Sequence, residues 1–123
     1  MSAWPQDDLD RLGAAGEVEV SSVRRDGSLS RTRTVWIVRV GDQLYLRSVN
    51  GPDGAWYRLT RAFHQGRIEA RGVVRDVAWV DVDAAGQPDV DAGYARKYQG
   101  ATSAIAHITS PLARVTTMRV EPR

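Results

Sequence analysis

The sequence predicts a mainly β protein with short helices, a small antiparallel barrel carrying helices across its openings. Three observations predict it. Segments of two-residue apolar alternation dominate the chain; they follow one another across Gly-containing turns; and the helix-period segments interrupt these strands instead of alternating with them, which argues against a parallel α/β sheet. The pattern counts to about six strands and three or four short helices.

Taken in order, Pro5 suits a first helical turn, Asp7, Asp8 and Asp10 suit a positive helix start, and Leu9 and Leu12 give one apolar side, predicting a helix over 5–14. EVEVSSVRR, 17–25, alternates Val18, Val20 and Ser22 against charged neighbours and ends at the turn signal Asp26-Gly27. Strands at 32–40 and 43–49 flank Gly41-Asp42, which reads as a two-residue type II′ loop and therefore sets Val40 opposite Gln43. That register sorts the hairpin. Val35, Ile37, Leu44, Leu46 and Ser48 share a core-like face, while Thr32, Thr34, Trp36, Val38, Tyr45 and Arg47 share the other, with Trp36 across from Arg47.

After the connector NGPDG, 50–54, the stretch AWYRLTRAFHQG sets Trp56, Leu59 and Phe63 at helical spacing and ends at Gly66. Two-residue alternation returns over 67–83, with Gly72 a bulge or corner. Asp89 caps a helix in which Tyr94 and Tyr98 share a face, Arg96 and Lys97 lie near its end and Gly100 stops it. A further turn or two of helix fits 101–108, and 112–120 closes the chain as a last strand.

At 123 residues and 42% hydrophobic content, the chain suits one domain, 1–123, with one core. It has no cysteine, so disulfides, thiolate metal ligation and a thiol nucleophile are excluded. Sixteen arginines and the single Lys97 nearly balance fifteen acids, and acids are interspersed throughout, which argues against a nucleic-acid partner. No apolar run approaches a membrane span, and the start MSAWPQDDLDRL lacks the basic-then-apolar order of a signal peptide, so the expectation is a cytoplasmic protein without a membrane partner. His64 and His107 are isolated, without ligand spacing, and the glycines of NGPDG read as ordinary turn chemistry before a phosphate loop. Asp81, Asp83, Asp89 and Asp91 miss the spacing of a calcium loop. Nor does the chain contain a nucleophile elbow, a Walker loop or a dinucleotide fingerprint.

What remains is the face of Trp36 and Arg47 with Arg31, Thr32, Arg33 and Thr34. An arginine stacked over a tryptophan contributes about 0.5 to 1 kcal/mol at an exposed site, which would account for the pair without any ligand. Alternatively, the arginines and hydroxyls hold phosphate or carboxylate oxygens while Trp36, Trp56 and Tyr57 offer flat surfaces to a planar ring. A third reading covers the face with a second subunit, since Trp, Tyr and Arg dominate interface hot spots.

The run TRTVWIVRVGDQLYLRSVNGPDGAWYR, then Gly66 to Ile68, DAGYARKY and the closing strand before Pro122-Arg123 resembles domain-of-unknown-function family 2255 over nearly the whole chain. More loosely, its order of Thr-rich strand, Gly-Asp turn, second strand ending Arg-Ser, Gly-rich connector and Trp-led helix resembles the flavin- and deazaflavin-binding split β-barrels, including the pyridoxamine-phosphate-oxidase-like and deazaflavin-dependent nitroreductase families. That resemblance implies a split barrel, often a homodimer, holding FMN or a deazaflavin. By position it implies that Arg31, Arg33 and Arg47 take the anion, that Thr32, Thr34 and Ser48 add hydrogen bonds, and that Trp36, Trp56 and Tyr57 line the ring. Lys97 and Tyr98 stand as rim candidates, against a reading as a helix-end charge and a core tyrosine. An enzyme of this kind would be an oxidoreductase transferring hydride, in which the cofactor reacts and the protein orients it. Two departures stand out: the loop here reads DGSLSR where the nitroreductases have Gly-Arg-x-Ser-Gly, and Val35 replaces a proline on the second strand. Some split barrels hold no cofactor, so the alternative is a non-enzymatic ligand-binding or dimerisation module.

Overall fold

The computed structural model describes residues 3–123. Its strands are β1 (Val18–Ser22), β2 (Arg33–Val35), β3 (Ile37–Val40), β4 (Gln43–Leu46), β5 (Gln65–Ala70), β6 (Val73–Asp81) and β7 (Met118–Pro122). The helices are α1 (Gln6–Ala14), α2 (Ala55–Phe63), α3 (Gln87–Lys97), α4 (Thr102–Ile108) and α5 (Pro111–Arg114). All strand pairs are antiparallel, in the order β2-β1-β5-β6-β7-β4-β3. The two edge strands are consecutive in the chain and separated by Trp36 alone. A sheet whose two edges are one residue apart has curled almost shut, so this is a barrel split at a single corner.

The expected 32–40 strand is therefore two strands, and Trp36 is the break between them. Before it, Val35, Thr34 and Arg33 pair with Val18, Glu19 and Val20 of β1. After it, Ile37 to Val40 pair with Leu46 to Gln43, the register expected from the Gly41-Asp42 loop. Gly41 has φ +61, as the first position of a type II′ turn requires. The 67–83 region forms a tight hairpin in which Arg71 (φ 49) and Gly72 (φ 79) make the two-residue corner, the double positive φ of a type I′ turn.

Alternation fills the barrel. Val18, Val20, Ile37, Leu44, Leu46 and Ile68 all point into one core with Trp79 and Val120. At one end α1 seats Leu9 and Leu12, and Trp4 donates from Nε1 to the Val120 carbonyl at 2.9 Å. Burying each such aliphatic side chain contributes about 1.5 to 3 kcal/mol. Arg39, on the core-side parity of its strand, lies at the barrel end, where it pairs with Asp10 at 2.7 Å and packs its stem on Gly13.

Three helical expectations change. In α2 the buried side chains are Trp56, Tyr57 and Thr60, while Phe63 is 43% exposed, because the helix turns Tyr57 and Thr60 toward β1 and the Thr60 hydroxyl satisfies itself on the Tyr57 carbonyl at 2.6 Å. His64, not Gly66, ends this helix in a left-handed conformation at φ 55. α3 starts two residues before Asp89, behind Gly86 with Pro88 in its first turn. The segment 112–120 begins as a helical turn, capped by Ser110 Oγ accepting from Ala113 N–H at 3.3 Å, and becomes strand only at Met118.

The outer face of the β3–β4 hairpin, expected to be open, is covered. Val38 packs with Val90 and Tyr94 of α3 and Ile108 of α4 in a second small core, which Trp36, Tyr45 and Tyr98 border. Close approach is made possible by Gly93, where a Cβ would meet Val38 Cγ2 at 2.6 Å.

Candidate functional site

A cleft of about 490 Å³ opens at the split corner, within the volume range of ligand pockets. One wall is the chain around β2: Glu17, Arg33, Thr34, Val35 and Trp36. The other is the segment after β4 and the start of α2: Ser48, Val49, Asn50, Gly54, Ala55 and Trp56, with Ala104 and Ile108 of α4 closing one side.

Six of the nine residues singled out in the sequence line this cleft, namely Arg33, Thr34, Trp36, Arg47, Ser48 and Trp56. Arg31 and Thr32 are exposed outside it, and Tyr57 is buried in the main core. The six differ in what they have left to offer. Arg33 makes no ion pair among the described residues and only a long contact, 3.5 Å, to the Thr32 carbonyl. Thr34 Oγ1 donates to Glu19 at 2.6 Å and retains its lone pairs. Ser48 is 2% exposed and its amide donates to Thr116 Oγ1 at 2.8 Å, yet its own hydroxyl has no partner among the described residues and presses against Gly54. Gly54 precedes α2, whose start no side chain caps, and Gly54, Ala55 and Trp56 line the cleft at this positive end of the helix.

Arg47 overturns its expected role as an open anion ligand. Its side chain is fully buried and all five donors are engaged: Nε to Thr117 Oγ1 (2.8 Å), Nη1 to Asp91 (2.5 Å) and the Ile108 carbonyl (3.1 Å), Nη2 to Gln87 Oε1 (2.8 Å) and the Gln87 carbonyl (3.4 Å). Asp91 also pairs with Arg114. The guanidinium lies 5.5 Å from the Tyr94 ring centroid, not over Trp36. Arg47 thus ties α3, α4 and the approach to β7 beneath the cleft, a structural task.

Trp36 is stacked on Tyr98 with ring centroids 3.7 Å apart and planes 1° from parallel, so one indole face is already taken by the protein. Tyr98 Oη donates to the Gly16 carbonyl at 2.8 Å and accepts from Ile37 N–H at 3.3 Å. Lys97 Nζ donates to the carbonyls of Ala15 and Ile37, both at 2.6 Å. Together they staple the end of α3 to the corner. Burial, aided by the charge of Arg71, lowers Lys97 to about 8; burial raises the Tyr98 phenol to about 12, with Glu17 adding to the rise. Neither lines the cleft as a free rim group. Sequence reasoning missed Glu17; it placed Trp56 and Tyr57 of the α2 start at the ring but read the NGPDG glycines before it as ordinary turn chemistry.

The geometry defines a class first: a seven-stranded antiparallel split barrel with short helices, the fold of known ligand-binding proteins. An F420 reductase superposes with TM-score 0.59 at 15% identity, covering 93% of this chain and 91% of that one. HutZ, the heme storage protein from Vibrio cholerae, gives 0.65 at 13% identity over 100% and 92%, and a FAD-binding protein from Mesorhizobium loti gives 0.53 at 14% over 98% and 88%. No curated protein matches the sequence. Residues 8–120 match the family described as uncharacterized protein conserved in bacteria, domain of unknown function 2255, and the chain belongs to that family.

Proposed function

We propose that the corner cleft binds a planar anionic ligand of the flavin or deazaflavin type. The observation that carries this reading is the convergence of a guanidinium without an ion pair (Arg33), the Ser48 hydroxyl and a helix start without a side-chain cap (Gly54 to Trp56) in a cleft also lined by two indoles. The polar trio suits phosphate or carboxylate oxygens, because it combines a guanidinium without an ion pair, a hydroxyl and a helix N-terminus. Trp36, backed by Tyr98, offers a rigid flat surface for a ring. The relatives in fold include an F420 reductase and a FAD-binding protein, which supports the same ligand class. When bound, such a ring supplies hydride transfer, and the chain's own side chains bind, orient and shield it.

Thermal unfolding of the full chain with FMN, FAD, a deazaflavin, haem and pyridoxal phosphate tests the reading, since a ligand selective for the native state raises the midpoint. A rise with FMN, FAD or the deazaflavin is expected. Absence of any shift with all three ends the proposal.

A second, compatible reading is self-association at the cleft rim. Val49, which lines the cleft, is 50% exposed, and Leu112 and Val115 are each 66% exposed. Leu112 and Val115 are three residues apart on one helical face, and Leu112 packs against Gly51. We therefore propose a homodimer whose interface borders the cleft.

A further inference from the structure

We propose that Glu17 selects the ring end of the ligand, so that the cleft takes molecules whose ring edge presents hydrogen-bond donors, such as the imide N–H of a flavin or deazaflavin. The inference rests on the planar-anion reading above and adds to it the orientation of the ligand and the chemistry of its ring. Glu17 lines the cleft and makes neither an ion pair nor a side-chain hydrogen bond among the described residues. A free carboxylate in a site for anions is a repulsive element unless the ligand meets it with a donor.

Position supports the division of labour. Val18 pairs with Val35, so Glu17 lies beside Trp36, while Arg33 sits opposite Val20 at the far end of β2; Glu17, Trp36 and Arg33 all line the cleft. Tyr98 Oη donates to the carbonyl of Gly16, the residue before Glu17, which brings Glu17 near the Trp36–Tyr98 stack. The cleft is therefore bordered by a cation at Arg33, a flat aromatic wall at Trp36 and a carboxylate at Glu17 on the Trp36 side. A ring resting on Trp36 with its anionic tail toward Arg33 turns its far edge to Glu17. Porphyrins fit this arrangement poorly: their edge carries carboxylates, and among the residues lining the cleft there is no His, Met or Tyr to hold an iron axially.

The test is a fluorescence titration of the full chain with FMN and with N3-methyl FMN, for the unmodified protein, Glu17→Ala and Glu17→Gln. Unmodified protein should prefer FMN by about tenfold or more, a hydrogen bond to a charged acceptor, and Glu17→Ala should lose that preference by weakening FMN alone. Glu17→Gln, which keeps an acceptor oxygen, should fall between. Equal binding of the two flavins by the unmodified protein, or undiminished FMN binding by Glu17→Ala, overturns the role of Glu17 while the ligand reading stands. If the unmodified protein binds neither flavin, both fall. Because Glu17 is exposed, unfolding midpoints should be the same for all three proteins, which keeps affinity separate from folding.

Discussion

Two arginines that look alike in the sequence separate cleanly at the scale of single residues. Arg47→Ala removes one partner from a fully buried network and leaves Asp91, Thr117 and Gln87 short of a donor, so it should destabilise the fold by about 3 kcal/mol, read by denaturant unfolding. Arg33→Ala touches no ion pair and should change stability by less than about 0.5 kcal/mol. It should weaken FMN or deazaflavin binding by about 1.5 to 3 kcal/mol, the range for a charged hydrogen bond, and unchanged affinity would remove it from the site. Lys97 supplies a pH prediction. Its pKa falls from 10.5 in the open chain to about 8 when folded, so between these values the unfolded state holds a proton that the folded state has released. Stability should therefore rise with pH across 8 to 10.5 relative to Lys97→Met, measured as the difference in unfolding free energy. Tyr98 opposes this from pH 10 upward, since its folded pKa of about 12 lies above the ordinary 10.0.

Among the elements, those defined by turn chemistry and strict alternation were legible in the sequence. The Gly41-Asp42 register and α1 follow from local rules, because a two-residue loop leaves only one pairing, whereas β1 ends at Ser22 before the Asp26-Gly27 turn and α3 ends at Lys97 before Gly100. Elements whose form depends on what packs against them were not. Trp36 continues the alternation of its strand and nothing local marks it as the break; the break exists because the barrel must change strand partners there. Likewise Phe63 keeps helical spacing with Trp56, but β1 claims Tyr57 and Thr60 instead. The hairpin's outer face has a polar, cationic pattern that reads as a ligand wall, and only the later helix bearing Asp91 and Gln87 turns Arg47 inward. Gly93 tests that packing directly. Gly93→Ala would drive a methyl into Val38, whose branched side chain has little rotamer freedom, and α3 must lift. The expected loss is about 1 to 3 kcal/mol, seen as a midpoint lower by roughly 5 to 10 °C. An unchanged midpoint would mean that α3 does not sit on β3 this closely.

For the whole molecule, the decisive feature is that the sheet's two edges are neighbours in sequence, so the split in the barrel wall and the cleft are the same place. An opening there exposes short strand edges and apolar groups together, which a monomer must protect or a partner must cover. The proposed dimer does the second. Leu112 and Val115 stand clear of the core, so replacing each with Asp removes no core packing but puts charge into any surface that buries them. Light scattering after size exclusion should give a dimer mass for the unmodified chain and a monomer mass for Leu112→Asp/Val115→Asp, with the thermal midpoint at low protein concentration unchanged. Should the unmodified chain run as a monomer at high micromolar concentration, the rim is not a subunit interface, and the cleft has to serve its ligand alone.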